Sequence, residues 1–366
     1  MTETLFSPLK LGAVTLQHRI VLAPLTRMRA AGNVPGPMNA EYYAQRSTPG
    51  GLLIAEATPV SWQGHGHPNV PGIHTAEQIA GWKTVTDAVH AKGGVIYLQL
   101  WHTGRVSHSS HQQDGGLPVG PSAIKADGMT ISAEFKPVPY ETPRALDIAE
   151  IPGIVASFRQ AAANAIAAGF DGVEIHGANG YLLEQFLYSR SNTRADAYGG
   201  SIENRSRLHL EITDAVVAEI GAARTGIRLS PWGIANDSFE DDPVPLFTYL
   251  VAELAKRDLV YLHFIEPRAS GTGKADIFRA EQPSAAAVFR NLWPNVLIDA
   301  GGFTRETAPE AVESGRADAV AFGRFFISNP DLVRRIQIGA EFTPYHRPTF
   351  YGGGAEGYTD YPPLPD

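Results

Sequence analysis

The run Gly172-Val173-Glu174-Ile175-His176-Gly177-Ala178-Asn179-Gly180-Tyr181 sets a short apolar strand, Gly172–Ile175, directly before an imidazole, a carboxamide and a phenol. Upstream of it, Ile154, Phe158, Ala161, Ala165 and Ile166 fall on one helical face, with Pro152 near the start and Gly169 after the last turn. Downstream, Leu208, Ile212, Ala215, Val216 and Ile220 repeat that face, and Gly221 closes it. Helix, short buried strand, helix is the unit from which parallel sheets are built.

The same unit recurs along the chain. Apolar runs without polar alternation predict strands at Ile20–Leu22, Leu52–Glu56, Val95–Leu100, Gly172–Ile175, Gly226–Leu229, Val260–Phe264, Val296–Ile298 and Ala319–Phe322. Further helices are expected over Glu77–Ala91, Leu246–Lys256, Ser284–Asn291, Arg305–Ser314 and Asp331–Gly339. Eight strand–helix units in series indicate an α/β protein, a (β/α)₈ TIM barrel, in one domain spanning 1–366. A doubly wound sheet is the alternative, but it usually needs fewer strands. Leu9 to Leu16 reads as a hairpin capping the bottom of the barrel. Trp101 to Pro143, rich in Gly, Ser, His and Pro, is a long insertion between the third strand and its helix, of a length typical of lids and binding loops. The tail Pro362-Pro363-Leu364-Pro365 reads as unstructured.

Composition narrows the function. The chain has 366 residues, 43% hydrophobic and 19% charged, with a formal net charge of −8 and no offsetting Lys/Arg cluster, which argues against nucleic acid as a partner. Absence of cysteine excludes disulfides, thiolate metal sites, iron–sulfur clusters and a catalytic thiol. No leader-like start and no run of about 18 apolar residues is present, so a cytoplasmic protein away from the membrane is expected.

In a barrel, working residues sit at the C-terminal ends of the strands. Here those ends carry Ala23-Pro24-Leu25-Thr26-Arg27, Glu56-Ala57-Thr58, Gln99-Leu100-Trp101-His102, His176 with Asn179 and Tyr181, Arg228, Asp299-Ala300-Gly301-Gly302-Phe303 and Ala321-Phe322-Gly323-Arg324. His176 and Asn179 can grip one substrate oxygen, and Tyr181 keeps its proton at neutral pH, a set suited to a carbonyl that is polarised, attacked and then protonated. Polar loop residues also serve turns, so the segment alone leaves both readings open. Glycines after the seventh and eighth strands expose backbone N–H groups where barrels bind phosphate, and Arg324 adds a fork of donors. No rim lysine is placed for a Schiff base. His65-Gly66-His67 has a His-x-His spacing without accompanying carboxylates, so no metal site is assigned. His102, His108 and His111 are expected at the surface of the long loop. Gly271-Thr272-Gly273-Lys274-Ala275 lacks P-loop spacing and reads as a flexible loop.

These residues resemble the old yellow enzymes, the flavin-dependent ene-reductases, and especially their bacterial branch with pentaerythritol tetranitrate reductase and morphinone reductase. Similarity spans nearly the whole chain. It includes Phe6-Ser7-Pro8-Leu9, Ala23-Pro24-Leu25-Thr26-Arg27, Gln99-Leu100-Trp101-His102-Thr103-Gly104-Arg105 and His176-Gly177-Ala178-Asn179-Gly180-Tyr181-Leu182. Ser191-Asn192-Thr193-Arg194, Tyr198-Gly199-Gly200-Ser201-Ile202-Glu203-Asn204-Arg205 and Ala321-Phe322-Gly323-Arg324 follow. Phe350-Tyr351-Gly352-Gly353 and Gly357-Tyr358-Thr359-Asp360-Tyr361-Pro362 complete the set.

The resemblance implies non-covalent FMN across the rim and NADPH or NADH as reductant. It implies that Thr26 bonds the flavin O4, Gln99 the pyrimidine edge, and Arg228 the N1/O2 side where reduction puts negative charge. Pro24, Ala57 and the loop around Phe350 and Tyr351 would wall the ring, Gly301, Gly302, Gly323 and Arg324 would hold the phosphate, and Leu25 and Ala300 would also touch the cofactor. Substrates would be small molecules (enones, enals, maleimides, and nitro compounds or nitrate esters as an alternative), bound by Thr26, Trp101, His176 and Asn179. Tyr181 would protonate the α-carbon opposite the hydride, and Trp101 would bias the substrate face. Where the family pattern has a tyrosine over the pocket this sequence has His67, which leaves substrate preference open. A monomer or homodimer is expected. A non-catalytic flavin-binding barrel is the reading from another class, and the intact His176, Asn179 and Tyr181 set argues against it.

Overall fold

The computed structural model describes residues 3–267, 279 and 281–365. The chain enters through a hairpin, β1 (Leu9–Leu11) against β2 (Val14–Leu16), and then runs into β3 (Ile20–Leu22). β4 (Leu52–Pro59) and β5 (Val95–Trp101) follow, each buried along its whole length. The long insertion forms two small sheets: β6 (Val119–Gly120) pairs with β9 (Arg144–Ala145), and β7 (Met129–Ile131) with β8 (Pro137–Pro139). β10 (Gly172–Gly177), β11 (Thr225–Leu229), β12 (Tyr261–Ile265), β13 (Val296–Ala300) and β14 (Ala319–Phe322) complete the set.

Eight of these strands, β10-β11-β12-β13-β14-β3-β4-β5, close into one parallel barrel. Every strand expected from the sequence is present, displaced at its ends by at most three residues. Closure leaves no sheet edge to solvent, and the apolar strands are covered on both faces. The lower barrel interior is filled by Val21, Leu52, Ile54, Val95, Tyr97 and Tyr261, and the hairpin's Leu11 and Leu16 pack into the same cluster. The hairpin is therefore the plug that the sequence implied.

Helices α1 (Pro37–Gln45), α2 (Ala76–His90), α3 (Ile151–Ala167), α4 (Leu182–Leu187), α5 (Ile202–Ile220) and α6 (Pro243–Ala255) wrap the barrel. They are followed by α7 (Ala285–Phe289), α8 (Ala308–Glu313), α9 (Arg324–Ser328) and α10 (Leu332–Ile338). Their ends are locally encoded. Thr75 and Gln78 make a capping box on α2, Ser201 Oγ accepts from Asn204 N–H on α5, and Gly221 (φ +86°) ends α5 in a conformation that favours glycine. α3 buries Ile154, Phe158, Ala161 and Ala165, the face read from its period. No helix among the described residues is long and apolar enough to cross a membrane.

Three expectations need correction or fall outside the structure. His102 is buried, not a surface residue: its Nδ1 accepts from Gly104 N–H and the residue is 1% exposed, because Thr103 N–H donates to Gly64 O and Leu182 N–H to His102 O, holding this stretch between the loop after β4 and the residues just after β10. The C-terminal tail has no helix or strand, yet Arg334 donates to Leu364 O and Pro365 O, and Leu364 N–H donates to Asp331, so it is tied to α10. Gly271 to Ala275 lies outside the described residues.

Candidate active site

The C-terminal strand ends surround a cavity of 570 Å³, within the range of small-molecule sites. Every candidate site residue lines it: Pro24, Leu25 and Thr26 after β3, Ala57 on β4, His67 beyond it, and Gln99 and Trp101 on β5. His176 on β10 and Asn179 and Tyr181 just after it join them, as do Arg228 on β11, Ala300 at the end of β13 with Gly301 and Gly302 after it, and Gly323 and Arg324 after β14. Phe350 and Tyr351 close one side. A shift in register between Ala55 and Thr58 marks an irregularity in β4, the kind of device that re-aims a strand end, and Ala57 sits on it.

His176 stands opposite Arg228 in the ladder. Its Nδ1 accepts the Ala178 N–H at 3.4 Å, so in the neutral ring the proton is on Nε2, a donor available to the cavity. Burial, reinforced by Arg228 and His263, holds its pKa well below that of an ordinary histidine, and the ring is neutral at pH 7. Asn179 occupies the left-handed region at φ +59° and Gly180 follows at +75°. A Cβ on Gly180 would lie 2.3 Å from Ala235 O, so only glycine fits. The turn is clamped on both sides. Asn179 N–H donates to Ser230 Oγ at 2.9 Å, Ser230 Oγ donates to Glu184 Oε1 at 2.6 Å, and Gly180 N–H donates to Glu184 Oε2. Asn236 Nδ2 donates to Asn179 O at 2.8 Å. The backbone of the turn is thereby satisfied within the protein, and the Asn179 carboxamide faces the cavity.

Tyr181 meets Trp101 edge-on at 4.8 Å and His176 at 5.1 Å. Burial first, then Tyr140 and Tyr351, push its phenol above the ordinary range, so it enters any reaction protonated. His67 stacks on Trp101 with ring centroids 5.6 Å apart. On the opposite side Gly301 (φ +145°) would place a Cβ 2.7 Å from that of Glu266, and Gly302 has φ +73°. These two glycines permit a backbone turn whose N–H groups border the cavity. Half-buried Arg324 stands with its guanidinium carbon 5.5 Å from the Tyr345 ring centre.

Four features escaped the sequence reading. Tyr140 and the hairpin tip Phe135 line the mouth, and Asn236 holds the donor turn. Arg27 and Arg29 tie down the C-terminal segment that carries Phe350 and Tyr351. Arg27 donates to Phe350 O and Gly357 O at 2.9 and 2.7 Å, and Arg29 to Gly354 O, Thr349 O and Glu356 O at 2.9 Å each. Glycine-rich Phe350-Tyr351-Gly352-Gly353 was a usable signal for a wall loop; the remote arginines gave none. His65 Nε2 lies 3.1 Å from His74 Nε2, and no group of three or more potential metal ligands exists among the described residues.

Residues 4–342 match the model of the NADH:flavin oxidoreductase / NADH oxidase family. The chain belongs to this family, the old yellow enzymes. It is 50% identical over 361 residues to 12-oxophytodienoate reductase 1 of Oryza sativa subsp. japonica, covering 98% of this chain and 92% of that protein. It is 48% identical over 368 residues to 12-oxophytodienoate reductase 2 of Arabidopsis thaliana, covering 98% and 96%. Among solved structures, morphinone reductase in complex with tetrahydroNAD superposes with a TM-score of 0.92 at 46% identity, covering 99% of this chain and 98% of that one. The family is an FMN-dependent oxidoreductase family, so a flavin cofactor and a nicotinamide reductant come with membership.

Proposed function

We propose that the 570 Å³ cavity binds FMN along its floor and a small α,β-unsaturated carbonyl compound above it, and that the chain reduces the C=C bond of that substrate. The residues fit FMN. Arg228 turns a guanidinium toward the cavity with its Nε buried and without a protein partner, which suits the pyrimidine edge of a flavin. Gly301, Gly302, Gly323 and Arg324 border the end where a phosphate would lie, and Pro24, Leu25, Ala57, Phe350 and Tyr351 give apolar walls for a ring. FMN supplies the hydride acceptor for NADPH or NADH and the hydride donor for the substrate.

The protein's own part is carried by the donor turn. His176 Nε2 and Asn179 Nδ2 hold the substrate oxygen, and because both are neutral donors in a buried site, their bonds strengthen as that oxygen gains charge. Tyr181 Oη delivers a proton to the α-carbon. Trp101, fixed between His67 and Tyr181, limits the volume beside the reacting carbons. Enones, enals and maleimides satisfy this arrangement. The names of the relatives point the same way, since 12-oxophytodienoate and morphinone are the substrates those proteins are named for. A nitro group or nitrate ester is the second reading, because two neutral donors fit its oxygens equally well.

The observation that carries the proposal is the clamped Asn179-Gly180 turn beside a neutral, Nε2-protonated His176. Replacing both His176 and Asn179 by Ala is expected to lower phenol affinity and enone turnover by roughly 10² or more, while reduction of the bound cofactor by the nicotinamide changes far less. Loss of that reduction with phenol affinity intact would defeat the assignment.

A further inference from the structure

Beneath the cavity floor lies a buried ionic group that the reaction as described does not use. Glu174 is 0% exposed on the interior face of β10, two residues before His176. Its Oε1 accepts from Gln99 Nε2 at 2.7 Å and its Oε2 from His263 Nδ1 at 2.8 Å. In the ladder Glu174 stands opposite Gln99, and Arg228 opposite both His176 and His263, so the ions occupy adjacent interior layers. Packing would be served as well by an aliphatic side chain, and a lone buried carboxylate is costly.

We infer that Glu174 is a positioning residue for the cofactor floor, fixing the Gln99 carboxamide with its oxygen toward the cavity and balancing the charge of Arg228. This rests on the FMN site proposed above. A carboxylate only accepts hydrogen bonds, so the Gln99 amide must turn its nitrogen to Glu174 and its carbonyl oxygen away from it, toward the cavity that Gln99 lines. Gln99 thereby becomes an acceptor for a ligand N–H instead of an ambiguous amide. Burial disfavours the charge on Glu174, but His263, Arg228 and Gln99 outweigh it and hold its pKa below the ordinary carboxylate range. The site therefore carries one buried anion against one buried cation.

The test measures FMN dissociation and the two-electron midpoint potential of holoenzyme for wild type, Glu174→Gln, Glu174→Asp and Gln99→Ala. Glu174→Gln keeps the shape, loses the charge and frees the Gln99 amide to turn. It is expected to bind FMN at least tenfold more weakly and to shift the potential positive by about 30 mV or more, the equivalent of tenfold in a two-electron equilibrium. Glu174→Asp keeps the charge but withdraws the oxygens; its potential should stay at the wild-type value while FMN affinity still falls, and it decides the matter if Glu174→Gln does not fold. Gln99→Ala must weaken FMN, and if it does not, the FMN reading at Gln99 fails and the inference with it. If Gln99→Ala weakens FMN but both Glu174 variants match wild type in affinity and potential, the inference alone is overturned.

Discussion

Glu184 offers a quantitative handle on the donor turn. It is fully buried, accepts from Gly180 N–H and Ser230 Oγ, and burial pushes its pKa up to about 7 from 4.5. Glu56, buried beneath Arg27 and Tyr43, is likewise pushed up to about 7, again chiefly by burial. A carboxyl whose pKa is raised on folding stabilises the fold fully below its unfolded value, and the contribution is lost as pH rises through the folded value. Each therefore loses stability between about pH 4.5 and 7, by roughly 3 kcal/mol for a shift of this size. With about 2.1 cal/mol/K of unfolding entropy per residue over 366 residues, that is roughly 4 °C in Tm.

Buried histidines act in the opposite sense. His65, His102 and His209, held near 3 mainly by burial, contribute stability above their unfolded pKa that is lost as pH falls. The wild-type curve alone is thus a sum of opposed slopes, and the decisive quantity is a difference. Melting of wild type and Glu184→Gln by circular dichroism from pH 5 to 8 should show the variant's deficit shrinking by roughly 3 °C toward high pH, because the amide has nothing to ionise. Parallel curves across that range would mean that Glu184 titrates alike in both states and that its burial costs nothing with pH.

Tyr181→Phe should slow reoxidation by an enone by roughly 10² or more in stopped flow while leaving reduction by the nicotinamide intact; an unchanged rate would make solvent the proton source. Gly180→Ala should weaken phenol binding more than tenfold, because its Cβ meets Ala235 O at 2.3 Å and the turn must open; unchanged affinity would show that the turn tolerates a side chain. Arg27→Leu should cost roughly 3 kcal/mol and release amide exchange over residues 349–358, the segment whose carbonyls it holds; unaltered protection there would contradict the latch.

The barrel was legible because its strands are continuous apolar runs of the right length, closed by glycines and prolines at helix ends. Boundaries slipped where polar residues belong to strands: Glu56, Thr58 and Asp299 are interior to β4 and β13, yet read as ends. α4 went unread because all six residues of Leu182–Leu187 are buried, which erases the amphipathic period. α1 buries polar Asn39 beside Tyr42 and Tyr43, so its covered face carries no clean apolar period. Prolines 137 and 139 disguise β8 as loop, and so hide the hairpin that brings Phe135 to the cavity. The site itself was legible wherever a side chain sits at or just past the C-terminal end of a strand, as at His176, Asn179 and Arg228. Its supports were not, since the contacts of Arg27 with Phe350 and of Glu174 with His263 span 323 and 89 residues and leave no local pattern.

One cavity is proposed to hold FMN, accept hydride from a nicotinamide and pass it to an enone. The most direct measurement is an anaerobic absorbance spectrum of the purified holoenzyme, taken alone, after NADPH or NADH, and after 2-cyclohexenone. Oxidised-flavin bands that bleach with the nicotinamide and return with the enone are the predicted result. A flavin that bleaches but is not reoxidised by the enone would rule out the enone as substrate and favour nitro compounds, and a colourless protein that FMN does not reconstitute would rule out FMN in this cavity.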